Sequence, residues 1–382
     1  MQKIFLAFPG YQVTLKQKIK KIGDFEFWNL EKITYDEFIA LIQKKIKPFN
    51  KNVRKNYFFV NTEQDFRDSY KNSSWGMLLP NYAKDYLDGR YESLFAVNLF
   101  SELNLPVMFY VQRMGITVEK RNIQIHEKAQ FHSEDKKFLT KKFVQFYNHI
   151  FLALLGIRWQ ACEVAKWDRE DWRMYVSCLL FNELAKYQRS KQVMTWQAEC
   201  ADIVSFYEAL LAKEPNDNGQ YKISQRIEVL SGRYYKKEFS QIKDGLKESF
   251  NARNDFVHGS FFDRLKRTTK TYPDNQNMAQ LPTVDFNFLE TQSKIAKQIL
   301  VIFLFLKKIF RGKKLPGKNK TIPELIHAGI MNVQIREEIQ DRAEEILKLM
   351  SFRHPIEAPP SEKSAGAVQT TFSNCDLKSR FK

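Results

Sequence analysis

The chain has 382 residues, of which 43% are hydrophobic and 14% aromatic, so it is not disordered over most of its length and is long enough for two domains. The net charge of +17 favours a polyanionic partner, nucleic acid or an anionic lipid surface, with generic surface chemistry as the alternative reading. No single basic tail explains it: Lys and Arg exceed acids by 22 to 16 over residues 1–140, 26 to 19 over 141–310 and 13 to 9 over 311–382.

Residues 1–137 read as a mixed region. The opening "MQKIFLAFPG" has too short an apolar stretch for a secretion signal, and Pro9 interrupts it. "TYDEFIALIQKKI" (34–46) predicts an amphipathic helix. Thr34 caps it, Asp36 and Glu37 suit the positive end of the dipole, and Phe38, Ile39, Leu41 and Ile42 supply the apolar side. "YFFVN" (57–61), "VMFYVQ" (107–112) and the partly alternating "GITVEKRNIQIH" (115–126) predict strands. "GRYESLFAVNLF" (89–100) reads as core. The region is therefore an expected α+β domain.

Beyond 137 the hydrophobic period becomes helical. Helices are predicted over 136–156, 169–188, 195–214, 223–232, 235–259 and 284–310. The run from Pro215 to Gly219 marks a break. Residues 138–194 form bridging helices, and the four helices within 195–310 form an all-α bundle, giving a mostly helical chain. "RGKKLPGKNK" (311–320) carries five positive charges and no acid, and its Gly and Pro favour a flexible tether. Residues 322–350 read as helical again, and the last 30 residues, with Pro355, Pro359 and Pro360, as disordered.

The longest apolar block, "ILVIFLFL" (299–306), is too short to span a bilayer, so no membrane partner is expected. Cys162, Cys178, Cys200 and Cys375 form no C-x-x-C pair and read as idle thiols in a reducing, cytoplasmic setting. His126, His132, His149, His327 and His354 have no Cys or carboxylate at ligand spacing. Asp168, Glu170 and Asp171 read as acids at a helix start. No metal site, cofactor or Gly-rich phosphate loop is predicted.

The end of the fifth of these helices stands apart. In "ESFNARNDFVHGSFF" (248–262), Phe250, Phe256, Val257 and Phe261 suit a core, but Arg253, Asn254 and His258 are not needed for one. Asn254 and His258 are four apart and share a face, Arg253 lies about 100° around the axis, and Gly259 permits the helix to stop. The group suits phosphodiester chemistry on RNA. The His moves protons near neutral pH, the Arg fork stabilises the extra charge on phosphorus, and the 2′-hydroxyl is the nucleophile, so no metal is needed. A charge that merely compensates the helix dipole is the alternative reading. Just beyond, Arg264, Lys266, Arg267 and Lys270 form a basic loop that either holds an RNA backbone or is simply solvated.

"RNDFVHG", preceded in order by "FYEALLAKE", a turn and "ISQRIEVLSG", resembles the R-x4-H signature of HEPN domains, most closely the Apea-like group, over residues 195–310. The resemblance implies a metal-independent endoribonuclease that cuts single-stranded or looped RNA. It implies a homodimer whose two motifs share a cleft, with Arg253 and His258 as the catalytic pair and Asn254 as a polar helper. It also nominates Glu208 as an acidic partner from an earlier helix, although a salt-bridging surface residue would look the same. Residues 1–137 would then sense a trigger or restrain the nuclease. The implied context is bacterial anti-phage defence by abortive infection, with a phage-derived trigger, or a toxin held by an antitoxin. A non-catalytic HEPN module that dimerises and grips RNA is the other function such a domain serves.

Overall fold

A computed structural model describes residues 2–8, 15–46, 75–83, 89–101, 105, 107, 109–112, 115–118, 134–157, 168–190, 196–213, 219–235, 239–257, 286–311 and 313–350. The strand expected at 57–61, residues 119–126 of the run expected at 115–126, Gly259 and the tail beyond 350 lie outside these residues. The chain is mostly helical, with a small N-terminal antiparallel sheet followed by helices.

Among the described residues the sheet has six strands: β1 (Gln2–Phe8), β2 (Ile19–Ile22), β3 (Phe25–Asn29), β4 (Trp75–Asn81), β5 (Phe109–Gln112) and β6 (Gly115–Val118). Their order is β2-β3-β4-β1-β5-β6, with every pairing antiparallel. Side chains alternate across it. Phe5, Ala7, Trp28, Leu78 and Val111 face helix α1 (Tyr35–Lys45) through Phe38 and Ile42. Ile4, Leu6, Phe8, Phe25, Phe27, Trp75, Met77 and Leu79 face the remaining helices. Both faces are covered, so "IFLAF" and "WGMLL" read as continuous apolar runs without alternation. This is why β1 and β4 were not recognisable as strands.

The expected helix at 34–46 is present, with a full capping box. Thr34 Oγ1 accepts from the Glu37 amide at 3.3 Å and Glu37 Oε2 accepts from the Thr34 amide at 3.0 Å. At the far end of α1, Lys45 Nζ lies 2.6 Å from Glu26 Oε1. Glu26 is almost wholly buried on β3 and also accepts from Trp28 Nε1 at 3.2 Å.

Gly76 is where β4 allows a close approach. A Cβ there would stand 2.3 Å from Cζ of Phe5, whose ring packs against Trp28 at 4.9 Å and Phe38 at 5.4 Å between centroids. Gly76→Ala is expected to destabilise the protein by about 1–3 kcal/mol through overpacking, read as a lower urea midpoint with unchanged m-value.

Helix α2 (Arg90–Phe100) is core, as its aromatic pattern predicted, with Phe95, Leu99 and Phe100 buried. The helix expected over 136–156 is two helices, α3 (Glu134–Phe138) and α4 (Lys141–Gly156). Thr140 makes the break: its side chain donates to the Lys137 carbonyl at 3.0 Å and accepts from the Phe143 amide at 3.2 Å, so it caps α4. Tyr147 on α4 joins sheet and helices. Its hydroxyl lies 3.1 Å from the Pro80 carbonyl and 2.9 Å from Ser93 Oγ.

Helices α5 (Arg169–Ser190), α6 (Trp196–Leu211), α7 (Gln220–Ser231), α8 (Phe239–Val257) and α9 (Phe286–Phe310) follow, close to the expected spans. The last four pack on one another, α6 most extensively on α8, and α5 packs along α6. One buried cluster runs from the sheet through α2 and α4 into these helices, without a break at residue 137. Asp168, Glu170 and Asp171 act as helix-start acids. Asp168 Oδ1 accepts from the Asp171 amide at 2.7 Å, and Lys307 on α9 pairs with Glu170 at 3.4 Å and Asp171 at 3.0 Å.

The segment 311–320 departs from the expected tether. It turns tightly at Pro316–Lys318, where Gly317 adopts φ 68° and Leu315 packs on the core. The helical stretch after it is a hairpin, α10 (Ile322–Met331) and α11 (Val333–Leu347), and Asn332 ends the first helix and caps the second. The hairpin packs on α7 and α9.

At the junction of α4, α9 and α11, Lys308 Nζ hydrogen-bonds His149 Nδ1, and the His149 ring meets the Phe305 ring edge-on at 5.1 Å. Burial, then the Lys308 charge, holds the His149 pKa below its ordinary 6.5, against a smaller pull from Glu345. A histidine with a depressed folded pKa contributes stability that is present above its unfolded value and is lost as pH falls. The urea midpoint is therefore expected to drop between about pH 7.5 and about pH 5.5, and His149→Gln to reduce that drop.

Candidate active site at the end of helix α8

Helix α8 buries Ile242, Leu246, Ser249, Phe250 and Ala252. Arg253 follows Leu246 by seven residues and Ser249 by four, so it continues the packing side of the helix just past the apolar contacts. This directs its guanidinium to α6. Arg253 Nη2 stands 3.8 Å from Glu208 Oε2, and the two side chains keep 31% and 17% of their exposure. Arg253 Nη1 donates to Asn254 Oδ1 at 3.3 Å, and Asn254 faces solvent. Arg253, Asn254 and Glu208 are thus brought together. His258, Arg264, Lys266, Arg267 and Lys270 lie outside the described residues.

Glu208 sits between buried Tyr207 and the last turn of α6. Burial raises its pKa and the Arg253 charge opposes the rise, so the carboxyl takes up a proton more readily than an exposed glutamate would. On the preceding residue, the Tyr207 hydroxyl is buried and has no hydrogen-bond partner among the described residues, a feature no sequence signal announced. The arrangement offers a partly exposed, permanently charged fork, a neutral acceptor and a carboxyl that titrates closer to neutrality.

The rest of α6 carries other chemistry. Glu199 at its start is pushed up to about 7 by burial and then by Asp202. Cys200 beside it is pushed up to about 12, chiefly by burial. Cys178 and Cys200 are buried and free, whereas Cys162 and Cys375 lie outside the described residues. No described helix is long and apolar enough to cross a membrane.

Comparison of the chain with protein-family models, with characterised proteins and with solved structures gives no match.

Proposed function

We propose that the chain is a metal-independent endoribonuclease of HEPN type, cutting single-stranded or looped RNA as a homodimer. The observation that carries this reading is the Arg253 guanidinium, held at the end of α8 by Glu208 and still 31% exposed, where a phosphate can reach it. Two features support it further: the R-x4-H spacing of Arg253 and His258, and four helices among the described residues of 196–310, in the order the resemblance implies. In this mechanism the substrate's 2′-hydroxyl attacks the adjacent phosphorus. His258 transfers the proton, Arg253 neutralises charge on the five-coordinate phosphorus, and Asn254 adds a polar contact. Unpaired RNA reaches the in-line geometry that a duplex resists. Arg264, Lys266, Arg267 and Lys270 would grip the backbone. Abortive infection, in which cell RNA is cut after phage entry, is the proposed setting, with a phage-derived trigger.

Incubating the purified protein with single-stranded RNA in EDTA tests this directly. The expected products carry 2′,3′-cyclic phosphate and 5′-hydroxyl ends. Products with 5′-phosphate ends, or cleavage that EDTA abolishes, would overturn the mechanism.

The Glu208–Arg253 contact also favours a second reading, in which Arg253 is a strut between α6 and α8 and the domain binds RNA without cutting it. RNA retained intact, with the protein dimeric, would select that reading. If a partner such as an antitoxin holds the enzyme silent, expression of the chain alone is toxic, and His258→Ala relieves the toxicity.

A further inference from the structure

The start of α5 carries Arg169, Trp172 and Arg173 within little more than one turn. At 100° per residue their side chains leave the helix within an arc of about 100°. Arg169 is exposed, Arg173 half-buried and Trp172 48% exposed, with its indole tilted against Tyr175 at 5.8 Å. Among the described residues neither the Arg169 nor the Arg173 guanidinium forms an ion pair or hydrogen bond.

The acids nearby are already engaged. Asp168 caps α5, Asp171 pairs with Lys307, and Glu170 pairs with Lys307 and accepts the Ile322 amide at 3.3 Å. Arg226 lies on α7. It is fully buried, and its Nη2 lies 3.2 Å from His327 Nδ1 on α10. Burial, then the charges of Arg169 and Arg226, pull the Arg173 pKa down, against a weaker opposing pull from Glu170. Arg169 and Arg173, four apart on one helix, repel each other, and folding alone does not require the arrangement. A multiply charged anion turns that repulsion into attraction, and paired guanidinium forks match phosphate oxygens.

We propose that Arg169 and Arg173 bind the phosphate of a nucleotide whose base stacks on the Trp172 indole. The ligand chemistry is a terminal phosphate next to an aromatic base. A free nucleotide and the 5′-phosphorylated end of an RNA both offer it. The site is separate from Arg253 and does not depend on the ribonuclease reading.

Titration calorimetry on the full chain tests it with three probes: ATP, pyrophosphate and a short RNA with a 5′-phosphate or a 5′-hydroxyl. ATP or the phosphorylated RNA is expected to bind, and Arg169→Gln and Arg173→Gln each to weaken that binding at least about tenfold. Trp172→Ala is expected to weaken nucleotide binding and spare pyrophosphate. Tighter binding of phosphorylated RNA than of ATP, lost with a 5′-hydroxyl, identifies the RNA end as the source, and the reverse order identifies the free nucleotide. Arg169 is exposed, so its variant reports on binding without risk to the fold. The ligand-free melting temperature of Arg173→Gln is expected to be unchanged or higher. A lower value would make Arg173 a structural residue and overturn the proposal. Absence of binding by every probe, or affinity unchanged in both arginine variants, would overturn it equally.

Discussion

Arg253→Ala is expected to cut RNA cleavage about 10²- to 10³-fold, the range found when one preorganised stabiliser of a charged transition state is removed. The melting temperature should barely move, because a partly exposed ion pair contributes about 1 kcal/mol or less. Arg253→Lys keeps the charge and loses the planar fork, so its rate should fall between the two. Glu208 provides an internal check. Arg253 opposes the burial that raises the Glu208 pKa, so removing Arg253 should raise that pKa further, as an NMR titration of the carboxyl would show. If Glu208 moves a proton, Glu208→Gln removes one limb of the pH–rate profile. If it only orients Arg253, the profile keeps its shape at a lower rate. Cleavage unchanged in both Arg253→Ala and His258→Ala would eliminate the nuclease reading.

Lys45→Met is expected to destabilise the protein by about 3 kcal/mol, the cost of leaving a buried charge without its main partner. The Glu26 side chain keeps 4% of its exposure and Lys45 keeps 22%, so water replaces little of the lost contact. Lys21, at 3.9 Å and largely exposed, compensates only in part. The double variant Glu26→Gln/Lys45→Met removes the charge together with its partner and should recover most of the loss. Equilibrium urea unfolding of the two variants measures both values. A single variant no less stable than the double would show that the pair does not hold α1 to the sheet.

What the sequence disclosed follows the range of the interactions involved. Helix α1 was legible in detail because its cap, Thr34, and the reciprocating Glu37 are three residues apart. Helices α5 to α9 were legible because their apolar residues recur at three and four. Asp168 could be read as a helix-start acid for the same local reason. Sequence patterns also misled at short range. Thr140 looked like an interior residue of one helix, yet its hydroxyl competes for backbone bonds and starts a new one. The Gly and Pro of 311–320 indicated a tether, but burial of Leu315 decides in favour of a packed turn.

The sequence by itself determined the spans of α1 and of α5 to α9, the Thr34 cap, the core character of α2 and the candidacy of Arg253, because each depends on residues within one or two turns. The tertiary structure alone decided the rest. The strands β1 and β4 lose their alternation when both faces are covered, so only their pairing identifies them. Glu26 and Lys45 are 19 residues apart, Glu208 and Arg253 lie on different helices, and Arg226 approaches His327 across 101 positions. Such contacts depend on how elements pack, and packing sums many weak, non-directional contacts whose partners no local pattern specifies.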